Sequence, residues 1–133
     1  MSQIKRNIPD AAWTLYTLFP AASGTGYSTP VWDLVLAGNV SRESFEVLIS
    51  VDATPSLTSG QTAVLTLQDS ADGTNFAAIA DLEPITVTAG AGGGAATSAR
   101  RMLSSSTRQY IRVAVTMGTG DSSTVGYTLQ LVF

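Results

Sequence analysis

The sequence predicts an all-β protein, an antiparallel β-sandwich of about eight short strands. Three observations support this prediction. Apolar residues recur at every second position through most of the chain, as in residues 110–117, where Ile111, Val113, Val115 and Met117 alternate with other residues. Glycine, proline, asparagine and aspartate separate such segments at intervals of about 10 to 15 residues. Hydrophobic residues make up 44% of the chain and charged residues 13%, which is not the composition of a disordered protein.

The strand candidates follow one another from residue 13 onwards. In the third candidate, the period of two places Val47, Ile49 and Val51 on one face and polar residues mainly on the other, which indicates a half-buried strand. The last candidate alternates in the same way up to Phe133. The predicted strands are residues 13–19, 31–37, 44–52, 62–70, 76–80, 84–89, 99–103, 110–117 and 124–133.

An N-terminal arm is expected before the strands. Residues 1–12 are polar or turn-forming, and Pro9 interrupts regular structure, so we expect a flexible arm followed by one sandwich domain at residues 13–133. Residues 20–30 and 53–61 are predicted loops, and the glycine-rich residues 90–99 are expected to form a flexible loop or an irregular edge. Short strands separated by such loops predict a sandwich or a jelly roll.

The composition narrows the possible chemistry. The chain contains neither cysteine nor histidine, so it lacks thiolates, disulfides and the commonest general base and metal ligand. A net charge of −3 makes the chain a poor candidate for binding nucleic acid. No apolar run approaches the roughly 20 residues that a membrane-spanning helix needs. We therefore expect no enzyme activity, no cofactor, no nucleic acid and no membrane.

The stretch QDSADGTNF, residues 68–76, is the densest group of potential cation ligands. A calcium site that uses Asp69, Asp72 and Asn75 is one interpretation, although the spacing does not fit a helix–loop–helix calcium loop. The alternative is a turn between two strands, because Gly73 after Asp72 accepts a positive φ. We favour the turn, with no metal, and expect Phe76 to re-enter the core.

Two carboxylates are candidates for a catalytic pair. Asp33 and Glu46 lie within predicted strands and are the nominees for a glycosidase-type pair. The simpler interpretation is that both belong to solvated strand faces. A serine nucleophile would need a base, and Lys5 in the arm is badly placed to be one.

Basic residues suggest an interface. Arg100, Arg101, Arg108 and Arg112 hold four of the seven basic residues within a short span. They could form a patch that docks on an acidic protein surface, or they could make ordinary surface ion pairs. In the arm, apolar Ile4 and Ile8 stand beside basic Lys5 and Arg6, a composition that suits ordering on a partner. The candidate interface residues, for contact with a partner protein or with another copy of the chain, are Ile4, Lys5, Arg6, Ile8, Arg100, Arg101, Arg108 and Arg112.

Two segments resemble a known family. VLTLQDSADGTNFAAIA, residues 64–80, combines an apolar strand, the motif S-A-D-G, an aromatic residue and a short strand. The C-terminal residues 110–133, introduced by Arg108-Gln109-Tyr110-Ile111, lead through a glycine-rich turn into a last strand. Both are similar to the capsid cement, or decoration, proteins of tailed phages, which have a jelly-roll fold. The likeness covers roughly residues 45 to 133.

The resemblance implies a structural role. Such proteins bind the outside of an assembled icosahedral capsid, as dimers or trimers, and clamp neighbouring major capsid subunits. It therefore implies that the partners are the major capsid protein and further copies of this chain, in a homodimer or homotrimer. It also implies a location on the capsid exterior of a virion, after synthesis in the host bacterial cytoplasm. The absence of cysteine suits that reducing compartment.

A carbohydrate-binding β-sandwich of a phage fibre or surface protein is the alternative function, and an enzyme comes third. Trp13, Trp32, Tyr16 and Tyr27 are the candidates for stacking on sugars. Exposed, coplanar aromatic rings would favour sugar binding, whereas buried tryptophans would favour the cement function.

Overall fold

The computed structural model describes residues 9–20, 24–34, 46–80, 82–120 and 124–132. The strands within these residues are antiparallel wherever they pair. They are β1 (Pro9–Leu18), β2 (Thr25–Tyr27), β3 (Trp32–Asp33), β4 (Glu46–Val51), β5 (Thr62–Ser70), β6 (Ala77–Ala78), β7 (Ile85–Thr88), β8 (Thr97–Met102), β9 (Tyr110–Met117) and β10 (Gly126–Val132).

The strands form two sheets. The first sheet has the order β1-β10-β4-β8. In the second sheet β9 pairs with β5, while β2 and β3 share the other edge of β9, and β6 and β7 share the other edge of β5. If β2 with β3 and β6 with β7 are each taken as one interrupted strand, the eight strand positions have the orders 1-8-3-6 and 2-7-4-5. This is the strand order of a jelly roll, so the predicted fold class is confirmed.

One hydrophobic core lies between the sheets. In the first sheet, β4 and β10 bury alternate residues, and in the second sheet β5 and β9 do the same. The predicted alternation in 44–52, 62–70 and 110–117 therefore describes the core-facing residues correctly. Each fully buried Val, Leu or Ile contributes about 1.5–3 kcal/mol relative to exposure. The central core residues are Val47, Ile49, Val51, Ala63, Leu65, Leu67, Ile111, Val113, Val115, Tyr127, Leu129 and Leu131.

Several boundaries differ from the sequence prediction; β8, for example, begins at Thr97 rather than at residue 99. β1 begins at Pro9 and pairs Pro9 with Val132, so residues 9–12 belong to a strand and not to an arm. A short strand, β2, lies within residues 20–30, which were predicted to be a loop, because its backbone pairs with the free edge of β9 from Thr25 opposite Thr116. The rest of the predicted arm, residues 1–8, lies outside the described residues, as does much of 31–37.

The glycine-rich segment 90–99 is partly regular. Gly90 and Gly93 form a bridge, and Gly94 pairs with Thr54 across to the neighbouring loop. Gly93 has a φ of 88°, and a Cβ at this position would overlap the backbone of Thr54 and Pro55. The segment therefore makes an irregular edge held against residues 54–55, and its last residues enter β8.

Candidate interaction surface

The QDSADGTNF stretch forms the end of β5 and the turn that leads into β6. The Asp72 carboxylate accepts hydrogen bonds from the backbone N–H groups of Thr74 and Asn75, both at 2.9 Å, and from the Ser70 hydroxyl at 2.8 Å. Together these hydrogen bonds hold the pKa of Asp72 well below its usual range, and the bond from the Asn75 backbone N–H has the largest effect. Gly73 has a φ of 78°, as predicted. The turn interpretation describes this segment correctly.

The three suggested calcium ligands have other partners. Asp72 closes its own turn, and the Asn75 side-chain amide donates to Asp72 Oδ2 at 2.9 Å. Asp69 lies at the end of β5 and binds Arg108. Within the described part of the chain, no group of three or more acidic side chains is placed to hold a metal ion.

Asp69 and Arg108 form a part-buried ion pair. Arg108 Nε and Nη2 donate to Asp69 Oδ1 at 3.0 and 2.7 Å, and the Arg108 backbone N–H donates to Asp69 Oδ2 at 3.0 Å. The Asp69 side chain is 10% exposed and that of Arg108 is 42% exposed. Hydrogen bonding to Asp69 raises the pKa of Arg108. This arginine therefore supports the fold by fixing the loop before β9.

Arg112 lies on the outer face of the second sheet, between two aromatic rings. Its guanidinium carbon is 3.9 Å from the centre of the Tyr27 ring and 4.0 Å from that of Phe76. Its Nε donates to the Gln68 side chain, which is the cross-strand neighbour, at 2.8 Å. Phe76 thus covers Arg112 at the surface, and the expectation that Phe76 re-enters the core is wrong. The rings and the amide hold the guanidinium in one orientation.

The other two predicted arginines belong to the first sheet. Arg100 pairs with Glu46 across β8 and β4, and its side chain is largely exposed. Arg101 donates to the backbone oxygens of Glu83 and Arg100 at 3.0 and 2.9 Å. The four arginines therefore do not form one patch, because Arg100 and Arg101 lie in β8 of the first sheet, whereas Arg112 lies in β9 of the second sheet and Arg108 in the loop before it. Ile4, Lys5, Arg6 and Ile8 lie outside the described residues.

The nominated carboxylate pair is separated by the fold. Asp33 lies in β3 of the second sheet and accepts a hydrogen bond from the Gln109 side chain at 3.0 Å. Glu46 lies in β4 of the first sheet and binds Arg100. Strands of opposite sheets carry the two groups, and each group has a partner, so the description of both as parts of strand faces fits better than a catalytic pair.

The aromatic residues do not form one sugar-binding platform. Trp32 is 3% exposed and belongs to the core. Tyr16 lies in β1 of the first sheet, and its hydroxyl donates to Asp52 at 2.7 Å, which raises the pKa of Tyr16. Tyr27 lies in the second sheet against Arg112. The side chain of Trp13 lies outside the description.

The two outer sheet faces differ in character. The first sheet exposes the large apolar side chains of Tyr16, Leu18 and Met102. On the second sheet, the outward positions of residues 64–68 and 112–116 hold small or uncharged side chains around Arg112. A shallow cleft of about 270 Å³ near the irregular edge has no ionisable lining; its residues are Thr86, Val87, Thr88, Ala95, Ala96 and Thr97.

The sequence prediction identified Arg112 but missed the residues around it. The alternation alone places Gln68 and Arg112 on outer faces, but only the register of β5 and β9 makes them opposite. Tyr27 was considered for sugar stacking, and Phe76 was assigned to the core. The sequence feature that could have identified Phe76 as part of this surface is its position shortly after the S-A-D-G turn.

Comparisons with known proteins add no family. None of the helical structure within the described residues has the length and apolar character to cross a membrane. No protein-family model and no curated protein matches the chain.

Proposed function

We propose that this chain is a structural virion protein that binds the outer surface of a phage capsid and clamps neighbouring major capsid subunits. The observation that carries the proposal is the jelly-roll strand order, β1-β10-β4-β8 facing β9 and β5 with their interrupted neighbours. The resemblance of residues 64–80 and 110–133 to capsid cement proteins implies the same fold. The fold alone does not assign a function, so the resemblance supplies the biological role.

The side-chain chemistry supports binding rather than catalysis. Asp69 and Asp72, the most suggestive acidic residues, are engaged by Arg108 and by the 71–75 turn. Asp33 and Glu46 lie on separate sheets. A cement protein requires no reaction, cofactor or metal, so this use of carboxylates in structural hydrogen bonds is compatible with the proposed role.

Two exposed sheet faces support a clamping role. The first sheet presents Tyr16, Leu18 and Met102 to solvent, and the second presents a nearly uncharged surface around Arg112. A sandwich with two such faces can contact two neighbours at once. Several modest contacts on one particle then reinforce one another through a high effective concentration. We include self-association as a homodimer or homotrimer in the proposal.

Co-sedimentation with capsids tests the proposal. Capsids of the phage that encodes the chain, assembled without this protein, are mixed with increasing amounts of the purified chain and pelleted. We expect saturable binding, with one stoichiometry set by the capsid lattice and an increase in the temperature at which the capsids open. Absence of the chain from the pellet at all concentrations contradicts the cement function.

The same material tests the carbohydrate-binding alternative. That function needs exposed, coplanar rings, but Trp32 is buried and Tyr16 and Tyr27 lie on different sheets. We therefore expect no retention of the chain on arrays of bacterial surface glycans. Retention on glycans combined with no binding to capsids would replace the cement proposal with the sugar-binding one.

A further inference from the structure

We infer that the chain docks on the capsid through the Arg112 face, where Arg112 binds an aspartate or glutamate carboxylate of a capsid subunit. The Arg112 face is the outer surface of residues 64–68 and 112–116 together with the rings of Tyr27 and Phe76. This inference rests on the proposed function, and it names the surface and the chemistry that the partner must supply.

The guanidinium of Arg112 is oriented before any partner arrives. Tyr27 belongs to β2, on one side of β9, and Phe76 follows the β5–β6 turn, on the other side. The two rings therefore approach Arg112 from opposite sides of its strand, at 3.9 and 4.0 Å. An arginine held in this way loses little conformational entropy on binding, which is the advantage of a preorganised anchor.

The free donors of Arg112 define the ligand. Nε is used by Gln68 at 2.8 Å, whereas the two terminal amino groups have no hydrogen-bond acceptor among the described residues. The rings of Tyr27 and Phe76 lie 3.9 and 4.0 Å from the guanidinium carbon, so the terminal amino groups are the part that remains for a partner. Two adjacent N–H donors in one plane match the two oxygens of a carboxylate. Partial removal of water by the rings strengthens such a pair.

The surroundings of Arg112 suit a protein surface. Thr66 lies opposite Ala114 and Val64 lies opposite Thr116, so the next two rows of the face carry short side chains without charge. Short side chains on a sheet allow a partner to approach closely. Interfaces often have this composition, with one arginine and aromatic residues at the centre and few other charges.

Charge distribution argues for a single carboxylate and against a polyanion. Arg112 is the one charged residue at the outward positions of 64–68 and 112–116, and the whole chain has a net charge of −3. Nucleic acid binding requires many cations along one surface. An isolated, oriented arginine instead fits one acidic side chain in an otherwise neutral contact.

Three variants test the inference by quantitative co-sedimentation with undecorated capsids. Arg112→Gln removes the charge and should weaken binding by about tenfold or more, since a buried charged hydrogen-bond pair at the centre of an interface is lost. Arg112→Lys keeps the charge but not the planar fork, and should recover only part of the affinity. Arg100→Gln removes one positive charge from the other sheet face and should change the affinity less than about twofold.

The controls separate the inference from the proposed function. Each variant must retain the wild-type melting temperature, and sedimentation velocity must show the wild-type oligomer. The capsid affinity of Arg112→Gln should also respond less to salt than that of the wild type.

If the wild type binds and Arg112→Gln binds equally well, the Arg112 face is not the docking surface, but the cement function stands. If Arg100→Gln and not Arg112→Gln lowers the affinity for capsids, docking is assigned to the first sheet. Loss of the oligomer by Arg112→Gln would assign the face to contacts between copies of the chain and overturn the inference. If the wild type does not bind, both proposals fail.

Discussion

Arg108 holds Asp69 through four hydrogen bonds, three to the carboxylate and one to the backbone oxygen, although 39 residues separate the two in sequence. The pair joins the end of β5 to the loop that leads into β9. These are paired central strands of the second sheet. The register of the two strands and the position of this loop are therefore fixed by the same contact.

Replacement of Arg108 should destabilise the protein more than replacement of any exposed arginine. Arg108→Ala leaves the Asp69 carboxylate, which is 10% exposed, without its charged partner, so we expect a clear loss in the free energy of unfolding. Arg100→Ala is the matched control, because its pair with Glu46 is largely exposed. It should cost less than about 1 kcal/mol. Urea denaturation measures both, and equal values would contradict the structural role of the part-buried pair.

Gly93 should tolerate substitution much less well than Gly60. Both have positive φ, 88° and 86°, but an added Cβ meets backbone atoms of Thr54 and Pro55 at Gly93 and nothing within 4 Å at Gly60. Gly60→Ala should lower the free energy of unfolding by roughly 1 kcal/mol, because alanine is strained in this backbone conformation. Gly93→Ala adds the overlap and should cost about 3 kcal/mol or more. Similar melting temperatures for the two variants would show that the 90–99 edge is not held against residues 54–55.

Tyr127 should make the stability depend on pH in the alkaline range. Burial raises the pKa of Tyr127 to about 12, from an ordinary value of 10.0. Because the folded pKa is the higher one, the neutral form is favoured by folding. The stabilisation is complete below pH 10 and is lost as the pH rises towards about 12.

Comparison with Tyr127→Phe isolates this effect. Between roughly pH 8 and pH 11, the wild type should lose about 1.4 kcal/mol of unfolding free energy more than the variant, which has no group to ionise. Other titrating groups, Tyr16 among them, are common to both proteins and cancel in the difference. Parallel pH profiles for the two proteins would mean that Tyr127 is ionised as easily in the folded chain as in the unfolded one.

The sequence predicted the central strands better than the edges. The predicted strands at 62–70 and 110–117 agree with β5 and β9 residue for residue, because strands with one buried face carry a clear period of two. β2 has only three residues, and it exists because β9 offers it a free edge, which no local pattern encodes. Proline was taken to exclude Pro9 from a strand, yet β1 is an edge strand, where proline is tolerated.

The candidate site was predictable in its residue types but not in its arrangement. Four clustered arginines draw attention to residues 100–112, but two of them lie in β8 of the first sheet, one lies in β9 of the second sheet and one lies in the loop before β9. The difference between Arg108, which supports the fold, and Arg112, which is oriented towards solvent, depends on cross-chain contacts with Asp69, Tyr27 and Phe76. Contacts of this kind follow from strand register, and register is fixed by the assembled sandwich rather than by the local sequence.

Removal of residues 1–8 should separate folding from capsid binding. β1 begins at Pro9 and pairs there with Val132, so deletion up to residue 8 keeps every strand pair of the first sheet among the described residues, whereas deletion up to residue 10 would remove one. The shortened chain should therefore melt within a few degrees of the wild type. Ile4 and Ile8 beside Lys5 and Arg6 suit ordering on a partner surface, which is the proposed role of this segment. We expect capsid affinity to fall at least about tenfold, or ~1.4 kcal/mol, in co-sedimentation.

The full-length double variant Ile4→Ser, Ile8→Ser is the matched control for this deletion. It keeps the length and charge of the segment but removes its apolar groups, and it should reproduce most of the loss of capsid affinity. If the deletion binds capsids as tightly as the wild type, residues 1–8 take no part in docking, and the Arg112 face must supply the affinity without them.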